Sequence, residues 1–127
     1  MRWVYANPNP CRREEPDCVV RAIALATGKT WGDVHRELCL LSRENCTMPS
    51  VNWLWELYLA GCGFEKFLLP ERCPGCLSVR EFCRRYPEGV YVIGTGTHAV
   101  CVRDGRYLDA WDSGDEVVSC FFRKRGD

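Results

Sequence analysis

The chain contains no glutamine, only two histidines and no excess of charge of either sign, with 17 Lys plus Arg against 17 Asp plus Glu. Charge balance leaves no net positive field to draw nucleic acid or an acidic membrane surface, so neither is expected as a partner. No apolar run approaches the ~20 residues that span a bilayer. The opening MRWVYANPNP has neither the apolar stretch nor the small-residue cleavage site of a secretory signal. A cytoplasmic location is the expectation. Repeats, low-complexity tracts and linkers are also missing, and residues 1–127 read as a single domain. The one basic cluster, Arg123-Lys124-Arg125, reads as a solvated tail.

What the chain has is apolar and aromatic material, 46% hydrophobic residues with five each of Trp, Tyr and Phe, enough to close a core without staples. It also has ten cysteines. Several, including Cys39, Cys83, Cys101 and Cys120, fall inside apolar periodic segments, where a free thiol behaves as a small hydrophobe. Most are therefore expected reduced and in the core rather than in a secreted disulfide framework.

The first half of the chain has helical period. CVVRAIALATG (18–28) is a short apolar helix ended by Gly28. TWGDVHRELCLL starts on Thr30 as N-cap, with Asp33 at the third helical position. SVNWLWELYLAGCG starts at Ser50 and ends at Gly61 or Gly63, and SVREFCRRYP has the capping box Ser78…Glu81 and is ended by Pro87. After Pro87 the period becomes two. GVYVIG, HAVCVRDG, RYLDAWDS and EVVSCFFR read as four short strands, with Asp104-Gly105 a strong hairpin turn. The expected class is α+β, N-terminal helices packed on a C-terminal antiparallel meander of about four strands.

Chemistry concentrates at two points of this layout. Cys18 opens an apolar helix, where unpaired backbone N–H groups and the helix dipole favour thiolate over thiol. Its neighbours Glu14, Glu15 and Asp17 would act the other way if they pointed inward. His98 opens a strand late in the chain, and the returning strand carries Asp109 and Asp112. A helix-borne Cys, a strand-borne His and a carboxylate on the next strand form a Cys-His-Asp triad if the helix packs across the sheet. Pairing about the Asp104-Gly105 turn sets residue 98 opposite 111 and residue 100 opposite 109. That geometry slightly favours Asp109 as the group orienting the imidazole, with Asp112 one step beyond.

HAVCVRDGRYLDAWDS resembles the His-to-Asn hairpin of papain-like cysteine peptidases, in which a His begins a strand and a Tyr-led strand returns to Asn-Ser. Laying Tyr107 on that tyrosine sets Asp112-Ser113 on the family's Asn-Ser. The bacteriocin-processing branch of the same clan carries an aspartate there and another immediately before its catalytic cysteine, as Asp17-Cys18 does here. The segments YANPNP, DCVVRAIA and WDSGDE also resemble small phage-borne proteins. The resemblance implies a minimal papain-like domain over residues 1–127, with Cys18 as nucleophile, His98 as general base and acid, and Asp112 as orienter, Asp109 being the alternative. It implies hydrolysis of a peptide or isopeptide bond through a thioester, on a protein or peptide substrate such as a host protein, with no cofactor and no metal. Family members usually carry a Gln about six residues before the cysteine to stabilise the oxyanion; Arg12 stands there in this chain. Asn9, or Asn7, is the nearest side-chain amide that could take over the task.

Two rivals use the same residues differently. One is a non-catalytic accessory protein that keeps the peptidase fold and binds a host protein; the other is an amidase or acyltransferase on a small molecule or cell-wall peptide. CPGC, Cys73 to Cys76, is half a zinc knuckle without a second half, and is read as a plain loop. His35 is expected on a helix surface, and Trp53, Trp55 and Leu57 in helix packing. Oligomeric state is not legible from the sequence.

Overall fold

The computed structural model describes residues 2–13, 16–70, 72 and 74–126. Four helices and a six-stranded mixed sheet make up the described chain: β1 (Trp3–Tyr5), α1 (Cys18–Thr27), α2 (Trp31–Glu44), α3 (Asn52–Gly61), β2 (Phe64–Leu68), α4 (Val79–Arg85), β3 (Val90–Gly94), β4 (Ala99–Arg103), β5 (Arg106–Asp109) and β6 (Cys120–Lys124). The class is α+β, with two more strands than the sequence suggested.

Local signals set the helix ends. Gly28 takes a left-handed conformation (φ 79°) that a side chain would resist, and its N–H closes α1 on the Ala24 carbonyl. Thr30 accepts from the Asp33 N–H to start α2. Ser78 and Glu81 form the reciprocal capping box of α4. Helix α3 begins at Asn52 rather than Ser50, with Val51 at its N-cap.

Strand order is β1-β5-β4-β3-β6-β2. Asp104 and Gly105 both have positive φ, the backbone of a type I′ turn, and join β4 to β5 with Arg103 opposite Arg106. The expected meander breaks at β6, which pairs antiparallel with β3 instead of following β5. On its other side β6 pairs with β2, while β1 lies parallel to β5.

The sheet is covered on both faces. On one, Ile23 and Ala26 of α1, Val34 and Leu38 of α2, and Trp55 and Leu59 of α3 pack on Val92, Cys101 and Phe122. On the other, Val79 and Phe82 of α4 pack on Tyr91, Val100, Tyr107 and Phe121. Cys83 and Cys101 are fully buried, as expected of core thiols, whereas Cys39 and Cys120 are half-buried. Trp55 is in the core, but Trp53 and Leu57 point outward. Among the described residues no helix is long and apolar enough to cross a membrane.

Candidate active site

Helix α1 runs against β4, bringing the N-terminus of the helix to the end of the sheet where β4 begins and β5 stops. Cys18 is the first helical residue, His98 immediately precedes β4, and Asp109 is the last residue of β5. These three side chains meet. His98 Nε2 lies 2.6 Å from Asp109 Oδ2. Cys18 is close enough to the imidazole for each group to shift the other's ionisation. With Nε2 committed to the carboxylate, Nδ1 is the nitrogen left for sulfur.

Asp109 is held from several sides. It is 3% exposed, and its Oδ2 also accepts from Ser113 Oγ at 2.7 Å. Its Oδ1 accepts from the Ala110 N–H at 2.7 Å and lies 3.6 Å from Arg21 Nη2. A carboxylate so bonded has little freedom to release the imidazole. Trp111 covers the histidine from outside, its ring 4.7 Å from the imidazole and tilted by 39°. Trp111 lies two residues past the end of β5, just as His98 lies one residue before β4.

The electrostatics favour an ion pair. Burial pushes the His98 pKa down, but the hydrogen bonds to Asp109 and Cys18 outweigh it and raise the value to about 9. Burial pushes the Cys18 thiol up. Its hydrogen bonds to His98 and to the Ala99 backbone N–H, with the positive charges of His98 and Arg21, outweigh burial and hold it below the ordinary 9.0.

Asp17, the residue before the nucleophile position, is turned away from the sulfur. It forms a short ion pair with Arg21 and accepts from Trp31 Nε1 at 2.9 Å and Asn9 Nδ2 at 3.1 Å. Because its carboxylate makes no cap bond to the helix, the first backbone N–H groups of α1 are not occupied by it. Glu14 and Glu15 lie outside the described residues.

Two sequence assignments change. Asp112 does not reach His98: its Oδ1 accepts from Tyr107 Oη at 2.5 Å and from the Gly114 N–H at 3.1 Å, and lies 3.5 Å from Arg80 Nη2. Regular pairing ends at Asp109, after which the chain leaves the sheet and carries Asp112 to Arg80 of α4. The carboxylate against the imidazole is thus Asp109, the alternative that strand pairing slightly favours, and not Asp112. Asn9 is not aimed at the sulfur either. Its Nδ2 donates to Asp17, its Oδ1 accepts from the Cys11 N–H, and the residue lines a different cavity.

A cavity of about 460 Å³ opens beside Cys18 and His98. It crosses Gly94 and Cys120 to the ion pair Lys66–Glu56, whose Nζ and Oε1 are 2.8 Å apart. A neighbouring cavity of about 580 Å³ lies on the Asn9, Trp31 and His35 side of α1. His35 is exposed and stacks on Trp31, as expected of a surface histidine. Among the described residues no group of three or more His, Cys, Asp and Glu could hold a metal ion. Cys76 is disulfide-bonded rather than an ordinary loop thiol, and Cys73 lies outside the described residues.

Arg21, Ser113 and Trp111 were not anticipated. Arg21 had a signal: it is the only charged residue in CVVRAIALATG, and it is 6% exposed in the structure. A scan of protein-family models, a search of curated proteins and a search of solved structures each returned no match.

Proposed function

We propose that this chain is a thiol hydrolase of papain-like architecture that cleaves a peptide or isopeptide bond, with Cys18 as nucleophile, His98 as general base and acid, and Asp109 as orienter. The observation that carries the reading is the convergence at the N-terminus of α1 of Cys18 with an imidazole, His98, that is bonded at 2.6 Å to a buried carboxylate, Asp109. A helix-borne cysteine packed against the strand that brings the histidine also supports the papain-like assignment over other α+β arrangements.

The chemistry follows from the ion pair. Cys18 thiolate attacks the carbonyl carbon, forming the S–C bond while the C=O electron pair moves to oxygen. Collapse of the tetrahedral intermediate expels the amine, which takes the proton from His98 Nδ1, and leaves a thioester on sulfur. Water then adds to the thioester as His98 accepts its proton, and the returning thiolate is the leaving group. Asp109 keeps the ring oriented and stabilises its positive charge throughout. The Cys18 backbone N–H is the first oxyanion donor.

No glutamine exists to supply a second donor, and the Asn9 amide is engaged by Asp17. Loss of one such donor lowers turnover by about 100- to 1000-fold. This favours a slow enzyme, and it is also the observation favouring the alternative of a binding protein on the same fold.

The pH dependence of iodoacetamide labelling at Cys18, read by mass spectrometry in wild type and His98→Ala, tests the reading. The expected result is fast labelling of Cys18 below pH 7 that the substitution abolishes. Labelling no faster than at Cys11 or Cys46, two exposed free thiols, overturns it. A thioester adduct on Cys18 after acid quench with an activated acyl ester then separates enzyme from binding protein.

A further inference from the structure

Three negative groups converge on this site, namely Cys18 as thiolate, Asp109 and Asp17, and one side chain touches both carboxylates. Arg21 Nη1 is paired with Asp17 Oδ1, and Nη2 faces Asp109 Oδ1 at 3.6 Å. Its guanidinium fork thus spans from the residue before the nucleophile, on α1, to the orienter at the end of β5. The side chains involved are 7%, 9% and 3% exposed, so solvent screens the charges weakly. Helical spacing makes the arrangement possible: Arg21 is four residues from Asp17 and three from Cys18, one turn along the same face.

We infer that Arg21 is a positioning residue that sets the charge balance of the thiolate–imidazolium pair, cancelling Asp17 and Asp109 so that a cysteine next to an aspartate can ionise at neutral pH. The inference rests on the proposed reading of Cys18 and His98 as a reactive pair and adds a residue to it. Without Arg21, Asp17 would present an uncompensated negative charge at the helix start, where the dipole otherwise favours a thiolate. Asp109 would in turn exert its full field on His98.

Among the described residues, few other charged or titratable groups face the pair. Asp17 and Arg21 come from α1, Asp109 from β5, and Glu56 of α3 and Lys66 of β2 face it across the cavity as a neutralised pair. Arg103 of β4 binds the carbonyls of Leu25 and Ala26 at the opposite end of α1. Among the described residues, Arg21 is thus the cation that bonds to Asp17 and also lies within ion-pair distance of Asp109.

The sign of the effect separates this role from a structural one. Removing the Arg21 charge raises the pKa of Cys18, because the thiolate loses a favourable cation. It also raises that of His98, because the imidazolium then faces a stronger carboxylate field. Both limbs of the labelling profile move to higher pH. Loss of packing alone lowers the folded fraction without moving either limb.

The experiment is the pH profile of iodoacetamide labelling at Cys18 in wild type, Arg21→Met, Asp17→Asn and the double variant. Arg21→Met is expected to move both limbs upward, and Asp17→Asn to move the thiolate limb downward. The double variant, which loses one charge of each sign, is expected to return near wild type. Arg21→Lys is expected to restore part of the shift, since an ammonium supplies the charge without the fork. Unmoved limbs in Arg21→Met overturn the inference, as does a double variant whose effects compound. If Arg21→Met does not fold, Asp17→Asn, which keeps an acceptor oxygen, still decides: an unchanged thiolate limb sinks the inference. A wild type with no fast labelling at Cys18 would instead defeat the underlying reading, so the two failures are distinguishable.

Discussion

His98 Nε2 and Asp109 Oδ2 lie 2.6 Å apart, on a histidine that precedes β4 and an aspartate that ends β5, eleven residues along the chain. The type I′ turn at Asp104-Gly105 fixes the pairing of Arg103 with Arg106 and Val102 with Tyr107, and every later neighbour follows from it. Trp111, two residues past the end of β5, lies over the imidazole. A two-residue turn thus determines which carboxylate faces the histidine.

Asp109→Asn and Asp112→Asn should therefore part company. Replacing Asp109 removes the charge that keeps His98 protonated, and Cys18 labelling at pH 6.5 should fall by about tenfold or more. Asp112→Asn loses partners on Tyr107 and Arg80 but none on the histidine, so its labelling rate should match wild type. Equal losses in the two variants would contradict the geometry.

Trp111 is 46% exposed and lies against His98. Its ring lies 4.7 Å from an imidazole whose pKa the Asp109 and Cys18 contacts raise, favouring the charged form. Trp111→Ala should remove a cation–π contact of about 0.5–1 kcal/mol and admit water to the Asp109 bond. The alkaline limb of Cys18 labelling should drop by about half a pH unit. Trp111→Phe should retain most of the effect, which distinguishes ring coverage from a change in strand geometry.

Much of this architecture was legible because its signals are local. Gly28, Thr30, the Ser78…Glu81 box and Asp104-Gly105 each act within a few residues, and the structure uses all of them as read. The two extra strands had no comparable signal. β1 is three residues long, and β2 reads FEKFL, with only Phe64 buried, so neither alternates clearly. The insertion of β6 between β3 and β2 is a long-range choice that pairwise turn reasoning cannot reach. At the site, the order Cys, His, carboxylate was readable, and strand register already favoured Asp109. The positional resemblance points to Asp112, three residues further on, which bonds to Tyr107 and not to His98. Arg21 is a lone charge in an apolar helix, a pattern that calls for buried partners and that the sequence reading passed over.

Stability should carry the imprint of the pair. His98 has its pKa raised from 6.5 to about 9 on folding. Such a group stabilises the fold fully below its unfolded value, and the contribution is lost as pH rises through the folded value. Cys18 has the opposite sign. Lowered on folding, it stabilises above its unfolded value of 9.0 and loses that as pH falls through its folded value. Cys18→Ala isolates the histidine, though without the Cys18 bond its pKa lies below 9. Its urea midpoint should then decline as pH is raised from 6.5 towards 9. Adding Asp109→Asn should flatten the decline, and a midpoint that still falls would assign the dependence to other groups.

Gly94 forms the floor of the cavity, where β3 passes between β4 and β6, opposite Ala99 on one side and Cys120 on the other. Its φ is not positive, so its reason for being glycine is space. A Cβ built there meets Cys120 Sγ at 2.8 Å, closer than side-chain atoms tolerate. Gly94→Ala should push the Cys120 side chain or bend β3, destabilising by about 1–3 kcal/mol in urea titration. Gly94→Ala made on a Cys120→Ala background removes the sulfur and should cost little by comparison. The double variant should also keep Cys18 labelling near the wild-type rate, because neither residue bonds to His98 or Asp109. A full loss of stability persisting without Cys120 would mean that the backbone of β3, not the thiol, requires the glycine.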